Sequence, residues 1–134
     1  VAAAKTVSKK LGLPVYNIVP PPRKMFCGIP RKLDVGPCEF LSMIKHAEFV
    51  VTNSFHGTAF STTFEKPYVS IVTGQADTRM YSLLDQLGLA NHLVHKEDMD
   101  INKLLATDFS GVRAKKAALR KSSFDFLKSA LEGL

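Results

Sequence analysis

The sequence predicts an α/β domain, with helices layered on a mostly parallel sheet. Three observations predict it. The runs "EFVVT" and "PYVSIVT" have the continuous apolar, β-branched character of strands buried on both faces. Segments of helical period alternate with them along the chain. Cap and turn residues mark most of the junctions. The chain has 134 residues, 46% of them hydrophobic, which is enough for one domain with a real core.

The elements follow in order. Residues 2–11 read as a helix closed by Gly12, a usual C-terminal cap. "PVYNIVP" reads as a strand ended by Pro20, Pro21 and Pro22. Residues 20–36 are rich in Pro, Gly and cations without periodicity, and a loop of that length is functional or partly disordered. "GPCEFLSMIKHAEF" is a helix with Pro37 in its first turn and Phe40, Leu41, Ile44 and Ala47 on one face. "EFVVT" is a strand, "GTAFSTTFE" a short helix stopped by Lys66-Pro67, and "PYVSIVT" the next strand. "RMYSLLDQLGL" is a helix closed by Gly88, and "HLVH" a short edge strand. "MDINKLLA" is a helix capped by Asp100. Asp108 or Ser110 caps a last long helix, with Val112, Leu119, Phe126 and Leu127 expected to be buried.

Net charge is +6, and its distribution is uneven. Lys5, Lys9, Lys10, Arg23, Lys24, Arg31 and Lys32 all precede the first acid, Asp34. Arg113, Lys115, Lys116, Arg120 and Lys121 form a second group. Such surface attracts anions, among them phosphorylated metabolites and lipid headgroups. Zinc spacing, aromatic RNA-binding patterns and KH-type glycine loops are all missing, so nucleic acid is not the expected partner. Cys27 and Cys38 form neither a disulfide framework nor a metal site, and read as reduced thiols of a cytoplasmic protein. His92 and His95 flank an apolar pair and read as structural; no metal is expected. His46 reads as a surface residue and Tyr81 as core. No apolar run approaches the ~20 residues needed to cross a bilayer.

The sharpest signal is "VVTNSFHGTAF" at positions 50 to 60. A strand ends, and a helix begins, around one imidazole. In an open α/β sheet, ligands bind beyond the carboxyl ends of the strands. The free N–H groups of a helix start suit a phosphate or carboxylate. Asn53, Ser54 and Thr58 offer neutral polar groups, and Gly57 permits close approach of the backbone. His56 can donate to an anion or move a proton. The plainer reading is an N-cap at Asn53 or Ser54 with His56 partly buried in the first turn.

"AEFVVTNSFHGTAFSTTFEKPYVSI", followed by "TRMYSLLDQLGL", closely resembles the polysaccharide pyruvyl transferase family. The resemblance implies a Rossmann-like three-layer domain, similar to the carboxyl-terminal half of a GT-B-type fold. It implies that residues 1–134 are one domain of a longer two-domain protein, in keeping with a chain that opens on Val1. The implied reaction moves pyruvate from phosphoenolpyruvate to a glycan or lipid-linked sugar, forming a ketal, with no separate cofactor. The missing N-terminal domain would supply much of the acceptor site. The location would be cytoplasmic, at the inner face of the membrane. The family's histidine falls on His56 as the catalytic residue. Its arginine falls on Arg79, beside Asn53, Ser54, Gly57 and Thr58 as substrate-binding residues. Some members carry an arginine where this chain has Ser54, so Arg79 or a cation of residues 20–36 would take over the anion. The competing readings are a nucleotide-sugar glycosyltransferase of GT-B type, whose paired glutamates are absent here, and a non-catalytic anion-binding module.

Overall fold

The computed structural model describes residues 1–18, 28–32, 34–72, 78–95 and 99–132. Its core unit is a three-stranded parallel sheet in the order β3-β4-β5, with β3 Val50–Thr52, β4 Tyr68–Val72 and β5 Leu93–His95. Val50 pairs with Tyr68, and Ser70 with Leu93. Helix α3 (Phe55–Thr63) crosses from β3 to β4; helix α4 (Thr78–Leu87) and a 3-10 turn cross from β4 to β5. This alternation of parallel strands and helices is Rossmann-like, as the sequence predicts. A second pair, β1 (Asn17–Ile18) and β2 (Arg31–Lys32), is also parallel. It follows α1 (Ala2–Leu11) and precedes α2 (Pro37–His46). The stretch read as an aperiodic loop therefore contains a short strand, and the strand read from "PVYNIVP" is confined to two described residues.

Central β4 is buried on both faces, and its side chains alternate between two layers. Tyr68 joins Leu84, Leu87, Leu89, Phe109 and Val112 on one side. Val69 joins Val94 and Leu104 on the other, with Val51 and Ile71 packed beside them. Strand β3 is an edge strand and only half-buried, whereas the sequence reads it as fully covered.

Local chemistry ends most helices as expected. Gly12 and Gly88 take φ of 65° and 73°, which a side chain would oppose. Asp100 accepts from the Lys103 N–H (3.2 Å) and starts α5 (Ile101–Leu105). Asp108 accepts from the Ser110 N–H (2.8 Å) and hydroxyl (2.7 Å) at the start of α6 (Phe109–Glu132). Those bonds, the hydroxyl first, hold its carboxyl below the usual range. Helix α3 ends at Thr63, earlier than Lys66-Pro67 predicts, because Glu65 already turns left-handed at φ 54°.

Two expectations about burial fail. Leu119, Phe126 and Leu127 are exposed, because among the described residues α6 meets the domain over its first two turns; Phe109 and Val112 are its buried residues. Tyr81 is exposed on α4, lining a shallow depression with Ser82 and Asp85, because Met80 and Leu84 take the inward face. Ile44 alone of the expected face of α2 is fully buried.

His92 is structural, as expected, and completely buried. Its ring lies 4.4 Å from that of Tyr68. Nδ1 faces the Tyr68 carbonyl (2.9 Å), so it carries the proton and donates. Nε2 lies 2.9 Å from the Thr107 hydroxyl, which also donates to the Leu104 carbonyl (2.9 Å). Burial lowers the proton affinity of the ring, against a smaller opposite effect of the Tyr68 carbonyl.

The folded chain therefore binds a proton at His92 less readily than the unfolded chain. Stability at this residue is full above the ordinary histidine pKa of 6.5 and falls as pH drops toward the lower folded value. Urea unfolding between neutral and mildly acid pH should show this loss. His92→Gln should be less stable at neutral pH, with a flatter acid limb; an unchanged limb would place the titration elsewhere.

Candidate functional site

The end of β3 and the start of α3 form one continuous turn. Thr52 accepts the Ser54 N–H at its hydroxyl (3.1 Å), which folds the chain back on itself. Ser54 is the N-cap residue in extended conformation, and its side chain caps nothing. Its carbonyl accepts both the N–H of Thr58 (3.0 Å) and the Thr58 hydroxyl (3.0 Å). The N–H groups of Phe55, His56 and Gly57 precede that first helical bond and have no acceptor within the helix. They and the helix dipole give the turn a positive end. The plainer reading holds for Ser54 as the N-cap position, though without a side-chain bond, and fails for His56, which is in the first turn but exposed.

Asn53, Ser54 and His56 are exposed around this turn. The His56 ring packs edge-on to Phe55 at 5.9 Å and stacks over Phe60 at 6.4 Å. It stands in the first turn beside the free N–H groups, at the carboxyl edge of the sheet. Arg79, in the first turn of α4, places its guanidinium over the other aromatic neighbour, 5.1 Å from the Phe55 ring centre. Phe55 thus contacts both His56 and Arg79. A cation over an aromatic face is held without losing its charge.

Gly57 and Thr58 point inward instead. Thr58 is fully buried, with its hydroxyl 2.8 Å from Ser70 on β4 and 3.4 Å from Met80 Sδ. Since Thr58 gives its proton to Ser54, Ser70 is the donor of the first of these bonds. Thr58 therefore positions the loop from beneath and presents no free polar group to a ligand. A Cβ on Gly57 would collide with the Thr52 hydroxyl and lie 2.9 Å from Thr52 Cβ. The close approach that Gly57 permits is between helix and strand.

Sequence reasoning missed Phe55, Thr52 and Ser70. The aromatic beside the histidine in "SFHG" was the available signal for Phe55. Nothing local marks Ser70, which lies in an apolar strand. Among the cations considered for the anion, Arg23 and Lys24 lie outside the described residues. Lys32 is exposed with its ammonium 5.4 Å from the Tyr16 ring. Cys38 is a free, exposed thiol, and Cys27 lies outside the described residues. His46 is exposed, with Nδ1 2.8 Å from the Ser42 carbonyl. No group of three His, Cys, Asp or Glu side chains that could hold a metal occurs among the described residues.

The family model described as polysaccharide pyruvyl transferase matches residues 3–74, more than half the chain. The match includes the whole turn from Asn53 to Thr58 and stops short of Arg79. No curated protein and no solved structure matches the chain.

Gly57→Ala should destabilise the fold by about 1–3 kcal/mol, the usual cost of forcing an extra carbon into a packed contact. Pairing it with Thr52→Ala, which removes the opposing hydroxyl, should restore part of that loss. Chemical denaturation of the single and double variants reads both; full tolerance of the single change would show that strand and helix can separate at this point.

Proposed function

The chain belongs to the polysaccharide pyruvyl transferase family, and from that membership we propose that it carries the donor side of an enzyme transferring pyruvate from phosphoenolpyruvate to a sugar. The acceptor is a surface polysaccharide or its lipid-linked precursor, and the product is a ketal. The chain would act as the carboxyl-terminal domain of a longer protein at the cytoplasmic face of the membrane. The observation that carries the reading is the exposed His56 at an uncapped helix start, with Arg79 over the ring of the adjacent Phe55.

The chemistry sets three demands. The methylene carbon of the donor must gain a proton. Two sugar hydroxyls must attack the neighbouring carbon and lose their protons, and phosphate must leave. The N–H groups of Phe55, His56 and Gly57 offer a seat for one anionic group of the donor. The Arg79 fork suits the other, whether carboxylate or phosphate. His56 would give the proton or take one from an attacking hydroxyl. Asn53 and Ser54 would orient the donor from the rim.

His56→Ala in the full-length protein should lower turnover on the order of 10² to 10⁴-fold, the range for general acid–base groups. Melting temperature should change little, because the ring is exposed. His56→Gln should keep part of the donor affinity but not turnover, since an amide donates a hydrogen bond and cannot carry a proton. A destabilised His56→Ala with normal activity per folded molecule would make the residue structural.

Arg79→Ala should weaken phosphoenolpyruvate binding roughly tenfold to a hundredfold, as expected when one charged hydrogen-bond partner is lost. Arg79→Lys should weaken it less. Thermal shift titrations of the full-length protein measure this. Stabilisation by a nucleotide sugar and not by phosphoenolpyruvate would favour the glycosyltransferase reading instead.

A further inference from the structure

Helix α6 is anchored only at its beginning. Phe109 and Val112 are buried, and Arg113 reaches Glu65 at the end of α3 (2.9 Å). From Ala117 to Glu132 every residue is exposed. That stretch is not uniformly polar. Phe124, Phe126, Leu127 and Leu131 are 58%, 73%, 54% and 67% exposed. At 3.6 residues per turn they share just under half of the helix circumference, with Ala130 among them. Across from them, Lys121 pairs with Asp125 (2.7 Å) and Lys128 with Glu132 (3.7 Å). The outer half of α6 therefore has an apolar side and a charged side.

Charge decides what covers the apolar side. Residues 113–132 hold Arg113, Lys115, Lys116, Arg120, Lys121 and Lys128 against Asp125 and Glu132. Pairing with a second copy would set cation against cation. A neutral groove would leave the cations without counter-charge. A surface that is acidic outside and apolar beneath satisfies both. Arg120 already lies with its guanidinium 5.4 Å from the Phe124 ring, its stem along the apolar side and its head free to reach outward. No helix among the described residues is long and apolar enough to cross a membrane, so the fitting geometry is a helix lying in the interface.

We propose that the outer half of α6 binds an anionic lipid surface, inserting Phe124, Phe126, Leu127 and Leu131 between headgroups while Lys116, Arg120, Lys121 and Lys128 meet the phosphates. The inference rests on α6 alone and stands whether or not the chain handles phosphoenolpyruvate.

Co-sedimentation of the full chain with vesicles tests it. The chain should pellet with mixed phosphatidylglycerol and phosphatidylcholine vesicles, stay in solution with phosphatidylcholine alone, and be released by high salt. Neutralising Lys116, Arg120 and Lys121 to Gln should weaken partitioning about fivefold per cation. Phe126→Ser with Leu127→Ser should abolish it without changing the melting temperature, because both side chains are exposed. Amide exchange of residues 119–132 should slow only on the anionic vesicles. Equal binding to neutral vesicles, failure to bind anionic ones with the helix intact by circular dichroism, or a dimer in solution that Phe126→Ser dissociates would each overturn the proposal.

Discussion

Two hydroxyl-to-hydroxyl bonds dock helix α3 on strand β4, and the candidate site depends on them. Ser70 gives its proton to Thr58 and Tyr68 gives its proton to Thr62, each at 2.8 Å. Each threonine passes its own proton to a carbonyl one turn back, Thr58 to Ser54 and Thr62 to Thr58 (2.9 Å). Every hydroxyl here donates once, and the order of donation is fixed by the carbonyls at the end. Burial pushes the Tyr68 phenol up to about 12, so it keeps the proton it must give. At such buried positions an unmatched hydroxyl costs about 1–3 kcal/mol, so the helix has one well-satisfied seat and poor alternatives. Among the described residues Ser61 alone breaks the pattern, with a buried hydroxyl that finds no partner.

Tyr68 links that seat to the rest of the domain. Its hydroxyl holds α3, its carbonyl holds His92 before β5, and its ring packs with Leu84, Phe109 and Val112. Through His92 and Thr107 the same residue reaches the carbonyl of Leu104 at the end of α5. The central strand is thus tied to α3, to the 3-10 turn before β5 and, through Thr107, to α5 by directional bonds as well as by apolar contact. Gly57 completes the arrangement, since any larger residue would push α3 away from Thr52 and lengthen the bonds behind it.

Much of the fold is legible in the sequence because its signals are local. Gly12, Gly88 and Asp100 end or start helices by chemistry confined to one turn. The run "PYVSIVT" announces a strand covered on both sides. What could not be read depends on distant partners. The apolar side of α6 is visible as a period, but a period does not reveal whether anything lies against it. Strand β2 is two charged residues, Arg31 and Lys32, recruited by pairing with β1 and by nothing in their own character. Thr58 and His56 sit two residues apart in one helix turn, and that rotation sends one inward and the other outward. Composition marks both as site residues; only geometry separates the one that faces solvent from the one that supports it.

The double occupation of the Ser54 carbonyl has a further consequence. Its lone pairs are spent on Thr58, so the main chain at this turn displays hydrogens with no spare acceptor at Ser54 to accompany them. The backbone therefore shows one sign of partial charge at this point, giving a cation or an ammonium group little to hold. That preference is written in peptide groups that do not titrate. It should persist across the pH range in which the domain stays folded, whatever the protonation of the histidine beside it.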